Sequence, residues 1–186
     1  MQGDAAVFDR FDLFNAKYKL GGSAELKEIF LGYSNFINGK HLAAMCKIAH
    51  RRLEETDHLF AEWRISVLGA NMGEWAKIAS FIVDNDLHKL THQKWMVQNP
   101  RIYSSLQGKA VKNYGEVLKN FFSPLFEATL NPAANEKLDL FLSCLSGFDS
   151  VDDESIADLE LDATKSSEWT RAENPGYAYQ VIKGIT

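Results

Sequence analysis

Residues 138–155 constrain the fold more than any other stretch; they read Leu-Asp-Leu-Phe-Leu-Ser-Cys-Leu-Ser-Gly-Phe-Asp-Ser-Val-Asp-Asp-Glu-Ser. The first half is largely apolar, as a strand covered on both faces would be. Gly147 interrupts it, and Asp149, Asp152, Asp153 and Glu154 follow. A buried strand ending in carboxylates is how α/β barrels and doubly wound sheets present chemistry, because the site lies at the carboxyl ends of the strands. A strand that leaves into an acidic surface turn gives the same local pattern.

The rest of the chain alternates in period. Ser23 predicts an N-cap for a helix ending near Gly32. A second helix is expected from Asn38 to about His58, with Leu42, Met45, Ala49 and Leu53 on one face. Residues Ala61–Leu68 predict a strand closed by Gly69, and Met72–Asp86 a helix burying Trp75, Ile78, Ala79 and Ile82. A short strand over Trp95–Gln98 stops at Asn99-Pro100. Tyr114–Thr129 predicts a helix in two pieces, with Pro124 opening the second. Helix and strand in alternation imply parallel strands with crossover helices. Three such strands do not close a barrel, which takes roughly 250 residues.

Composition excludes several classes. The net charge of −5 is uneven: residues 149–173 carry nine acidic side chains against Lys165 and Arg171, leaving about +2 for the remainder. Nucleic-acid binding needs a clustered basic face, so no nucleic-acid partner is expected. No apolar run reaches the ~18 to 20 residues of a membrane span, so no membrane partner is expected either. Cys46 and Cys144 sit in apolar surroundings, which predicts free thiols, a reducing compartment and a cytoplasmic protein. The whole chain, 1–186, is expected to be one partial domain, with 156–186 an acidic, irregular tail.

Six collinear stretches carry a family resemblance. They are Phe11-Asp12-Leu13-Phe14-Asn15-Ala16-Lys17-Tyr18, Ala61–Gly69, Val97-Gln98-Asn99-Pro100-Arg101-Ile102-Tyr103, Phe121–Thr129, Gly147–Ser155 and Glu173-Asn174-Pro175-Gly176-Tyr177-Ala178-Tyr179. With this spacing, from Val7 to Tyr179, the chain resembles AMP deaminase of the adenosine/AMP deaminase superfamily. The resemblance implies an internal segment of a zinc-dependent (β/α)8 TIM barrel that hydrolyses AMP to IMP and ammonia. The strands at Ala61, Trp95 and Leu138 would be its second, third and fourth. It also implies AMP and IMP as ligands and a homo-oligomer, a tetramer.

The family binds zinc through a His-x-His pair on the first strand and a His and an Asp from later strands, the metal lowering the pKa of its water. This sequence has histidines at 41, 50, 58, 88 and 92 and no His-x-His. Those strands are expected before Met1 and after Thr186, as in a truncated or mis-spliced gene product. Hence no catalytic residue, no metal ligand and no bound zinc are expected in this chain. His88 and His92, four apart, suit half a metal site or an exposed loop.

Substrate contacts implied by the resemblance are Leu13, Phe14, Asn15, Ala16, Lys17 and Tyr18 for the phosphate, and Asp149 and Asp152 for the purine. Lys17 and Tyr18 suit a phosphate chemically, although a solvated Lys17 and a packed Tyr18 fit the residues alone. Leu13 stands where the family usually has a second lysine, which weakens attraction for a dianion. Arg64 and Arg101 fall at or beyond strand ends, placed to pair with these carboxylates or to be ordinary surface arginines. Two other functions fit the residues: a non-catalytic nucleotide-binding or interaction protein derived from a deaminase, and a helical α/β interaction module.

Overall fold

The computed structural model describes residues 28–151 and 163–180. Its elements are α1 (Lys40–Glu54), β1 (Ala61–Ser66), α2 (Glu74–Asp84), β2 (Gln93–Pro100), α3 (Tyr103–Leu106), α4 (Tyr114–Leu130), α5 (Glu136–Ser143) and β3 (Leu145–Val151). Short 3-10 turns lie at Leu87–Lys89, Pro132–Ala134 and Ser166–Glu168.

The three strands pair in chain order, β1-β2-β3, and both pairings are parallel. Trp63 stands opposite Trp95 and Ser66 opposite Gln98; on the other side Met96 meets Gly147 and Gln98 meets Asp149, after a register shift at Trp95/Met96. Right-handed crossovers between neighbours in sequential order put every connecting helix on one face. That face is the core: Ile65, Trp95 and Val97 from the strands and Val67 just after β1 pack with Trp75, Ile78 and Ile82 of α2, Phe121 of α4 and Phe141 of α5. Trp75 is its centre, fully buried, with Nε1 donating to the Phe121 carbonyl at 2.8 Å and its ring edge-on to Phe121. The architecture is α/β, a parallel three-stranded sheet flanked by helices, consistent with part of a (β/α)8 barrel.

Two expectations need correction. Residues Leu138–Ser143 are the helix α5, not the opening of a strand; β3 starts only at Leu145. Leu138, Phe141 and Leu142 recur at i, i+3 and i+4 and face the core, while Glu136, Lys137 and Asp139 are exposed. Cys144 is therefore the residue after a helix, its Sγ 3.4 Å from the Leu140 carbonyl, rather than a strand residue. Pro124 does not divide α4 either: Tyr114–Leu130 runs unbroken with Pro124 buried inside it. β2 extends two residues beyond each end of the expected strand, Asn113 caps α4 by accepting from the Glu116 amide, and α4 ends at Leu130, just before Asn131-Pro132. The Ser23 cap lies outside the described residues; residues 28–31 are helical and the Gly32 amide closes on the Glu28 carbonyl.

A second, smaller core holds residues 163–180 against α3 and α4. Trp169 and Tyr179 are buried with Tyr103, Val111, Tyr114, Val117 and Leu118. The Trp169 carbonyl accepts from the Tyr103 hydroxyl (2.8 Å) and from the Tyr114 amide (3.1 Å).

Candidate functional site

Alternation along the strands decides what lies on the second sheet face. Ile65, Val67, Trp95, Val97 and Phe148 point into the helices, so Glu62, Arg64, Ser66, Lys94, Met96, Gln98 and Asp149 point the other way. Among the described residues no helix covers this face. Glu62, Arg64, Ser66 and Lys94 are exposed on it, and Met96, Gln98 and Asp149 are half-buried. Parallel sheets are normally apolar on both faces. A polar second face is therefore a chemical signal.

One ion pair crosses it. The Nη2 atom of Arg64 lies 3.2 Å from Oδ2 of Asp149, so the guanidinium reaches over β2 to a carboxylate two strands away. The arginine leaves the row Arg64–Met96–Gly147 and meets Asp149 in the row Ser66–Gln98–Asp149, toward the carboxyl ends of the strands.

Those carboxyl ends are braced by two devices. After β1 the chain turns through Gly69 (φ +74°) and folds back on the side chain of Glu74, a buried carboxylate at the start of α2. Its Oε2 accepts from the amides of Leu68 (2.6 Å) and Gly69 (3.1 Å), and its Oε1 from that of Ala70 (3.0 Å). Asn120 of α4 donates to the Gly69 carbonyl at 2.9 Å. A side chain at Gly69 would meet Val117 at 2.7 Å as well as the positive φ, so only glycine fits.

After β2, Arg101 turns inward. It is buried, its Nη2 donates to the Pro175 carbonyl at 2.7 Å, and its guanidinium lies 3.9 Å from the centre of the Tyr177 ring. Asn174 completes the join, taking the Ser104 amide at 2.9 Å and giving to the Arg101 carbonyl at 2.7 Å. Burial pushes the neighbouring Tyr114 phenol well above its ordinary value, with Tyr179 adding to the shift and Arg101 opposing it.

Of the residues expected to bind substrate, Asp149 is on β3 and faces the open sheet face. Leu13, Phe14, Asn15, Ala16, Lys17, Tyr18 and Asp152 lie outside the described residues. Arg64 pairs with Asp149, one of the two alternatives open to it, and Arg101 is buried against Pro175 and Tyr177. His88 and His92 do not form a ligand pair: His88 sits in a 3-10 turn, and His92, just before β2, turns its Nδ1 to the Leu53 carbonyl at 3.2 Å. His50 pairs with Glu54 at 3.0 Å and His41 stacks on Phe30. Among the described residues no group of three or more His, Cys, Asp or Glu is placed to hold a metal ion. The described side chains therefore do not fit a zinc centre.

Sequence reasoning missed Glu74, whose only signal is a glutamate five residues after the glycine that ends β1. It also missed the Arg101–Pro175 join, although both ends lie in stretches that carry the resemblance. No helix among the described residues is long and apolar enough to cross a membrane.

Comparison with known proteins places this geometry. The family model described as AMP deaminase matches residues 1–183. Human AMP deaminase 1 is 42% identical over 177 residues, covering 93% of this chain and 24% of the human protein. The AMP deaminase of Saccharomyces cerevisiae is 41% identical over 183 residues (96% and 22%), and that of Arabidopsis thaliana 40% over 186 (97% and 22%). The chain thus spans about a quarter of the length of the curated relatives it matches. A match across nearly all of its residues, with the parallel sheet and polar face described above, leads to one conclusion: the chain belongs to the AMP deaminase family.

Proposed function

We propose that this chain contributes the second, third and fourth strands of a (β/α)8 barrel that hydrolyses AMP to IMP and ammonia, with the polar sheet face turned to the nucleotide. The observation that carries this reading is the polar sheet face, which no helix among the described residues covers. Three parallel strands in sequential order, helices on one side and charged side chains on the other toward the carboxyl ends, are what a barrel segment offers when those ends carry the site. In the reaction, water adds at purine C6 and ammonia leaves from the same carbon. This chain's part is to hold the nucleotide: Leu13, Phe14, Asn15, Ala16, Lys17 and Tyr18 at the phosphate, Asp149 and Asp152 at the purine. The zinc that the resemblance implies would lower the pKa of the attacking water; the described residues do not fit it, and no step is assigned to them through it. The two cysteines, unbridged, suit a reducing, cytoplasmic setting. Assembly as a homo-oligomer, a tetramer, belongs to the same reading.

The test is a transplant. Residues 1–183 replace the matching stretch of the yeast AMP deaminase, and IMP formation and ammonia release are followed. Turnover by the chimera is the expected result, and Leu13→Lys should tighten AMP. The purified 186-residue chain should bind AMP on titration and release no ammonia. A chimera that assembles like the yeast enzyme yet neither binds nor turns over AMP would overturn the proposal.

A further inference from the structure

Arg64 and Asp149 form the one ion pair on the open sheet face among the described residues, and stability does not account for it. Their side chains are 56% and 34% exposed, and an exposed pair is worth about 0–1 kcal/mol. Against that stands the rotamer freedom an arginine loses, about 2 kcal/mol if it is fully held. The shortest contact is Nη2 to Oδ2 at 3.2 Å, an ion pair, and no side-chain hydrogen bond is made to either Asp149 carboxylate oxygen among the described residues. Beside it the face is open, since a side-chain carbon placed on Gly147 would meet no atom within 4 Å.

An aspartate steadied by a cation, with hydrogen-bonding capacity left on its carboxylate, is a prepared acceptor. We propose that Arg64 is a positioning residue: it holds Asp149 through Oδ2, so that Oδ1 accepts a hydrogen bond from an N–H or O–H donor of the bound nucleotide. Strand geometry gives the arrangement its precision. Parallel neighbours are ~4.8 Å apart, so the pair spans about 10 Å. Only a long side chain crossing β2 diagonally closes that distance. The strand register sets Asp149 beside Gln98, while the neighbouring Phe148, half-exposed, leans its ring edge-on to Trp75 and Phe121 on the opposite face. Arg64 thus governs rotation of the carboxylate, and β3 governs its place. The inference rests on the nucleotide-binding reading above.

The experiment titrates AMP into the full 186-residue chain as wild type, Arg64→Lys, Arg64→Gln, Asp149→Asn and the exchanged pair Arg64→Asp/Asp149→Arg, with urea midpoints measured alongside. Expected results are about a tenfold loss of affinity for Arg64→Gln and for Asp149→Asn, corresponding to ~1.4 kcal/mol. Arg64→Lys should stay within about threefold of wild type, because it keeps a cation on the carboxylate. Urea midpoints should stay unchanged throughout, as a merely structural pair would not allow with altered binding. Unaltered affinity in Arg64→Gln overturns the proposal and leaves the nucleotide reading standing, the pair then being an ordinary surface contact. A wild-type chain that binds no AMP overturns both. Weakened binding in the exchanged pair, with Arg64→Lys near wild type, supports the assigned polarity.

Discussion

Replacing Glu74 by glutamine tests how the carboxyl end of β1 is held. The carboxylate takes three backbone amides, two on Oε2 and one on Oε1. Glutamine best keeps its carbonyl on the two-amide side, which turns its NH2 group toward the Ala70 amide, donor against donor. One hydrogen bond is lost with its donor stranded, at about 1–3 kcal/mol, and the two that survive lose their charge assistance, about 1 kcal/mol more. Loss of a negative charge in the first turn of α2 adds a few tenths. The total is about 2–4 kcal/mol. With a urea slope of ~2 kcal/mol/M, the unfolding midpoint should fall by about 1–2 M. Amide exchange separates local from global causes: Leu68, Gly69 and Ala70 should lose protection by roughly 30- to 900-fold. Val97, in the middle of β2, should change only with the midpoint. A midpoint within about 0.3 M of wild type, with the three amides still protected, would refute the reasoning.

Arg101→Lys should loosen residues 163–180. Lysine loses the guanidinium contact with Tyr177 and the fixed reach to the Pro175 carbonyl, so trypsin cleavage after Lys165 and Arg171 should quicken by about tenfold or more, and unchanged cleavage would count against the join. Burial pushes the Cys46 thiol up to about 11 from an ordinary 9.0. At pH 8 its thiolate fraction is then about a hundredth of that of a free cysteine, and iodoacetamide labelling should be slower in the same ratio until urea exposes it. The sign for stability follows from proton binding. The folded chain keeps the Cys46 proton more tightly than the unfolded chain, so this contribution is whole below about pH 9 and declines as pH rises to about 11. A Cys46→Ser variant with the same alkaline decline would contradict that assignment.

Much of the architecture was legible because the apolar period changes cleanly between 3.6 and 2. Trp75, Ile78, Ala79 and Ile82 mark α2 as a helix, and Trp63, Ile65 and Val67 mark β1 as a strand. Residues 138–142 were not legible in this way. Four apolar residues in five satisfy both periods, and only packing against α2 decided for helix. The site was half legible for a different reason. Spacing in sequence points to Asp149, and strand register brings Arg64 to it, but register depends on the shift between Trp95 and Met96 that no residue pattern announces. Glu74 reads as an ordinary acidic residue in a first turn; its role depends on a turn at Gly69 that brings three amides onto one side chain.

The bond between Arg101 and Pro175 links residues 74 positions apart. On a ribosome adding 5–20 residues per second, the guanidinium emerges roughly 4–15 s before its acceptor is made. For that interval a cation meant for the interior has neither the Pro175 carbonyl nor the Tyr177 ring, and the Trp169 carbonyl that will receive the Tyr103 hydroxyl is also still to come. The nascent chain therefore builds the large core around Trp75 first and seals the top of its middle strand last, which makes that seal the step most open to chaperone capture.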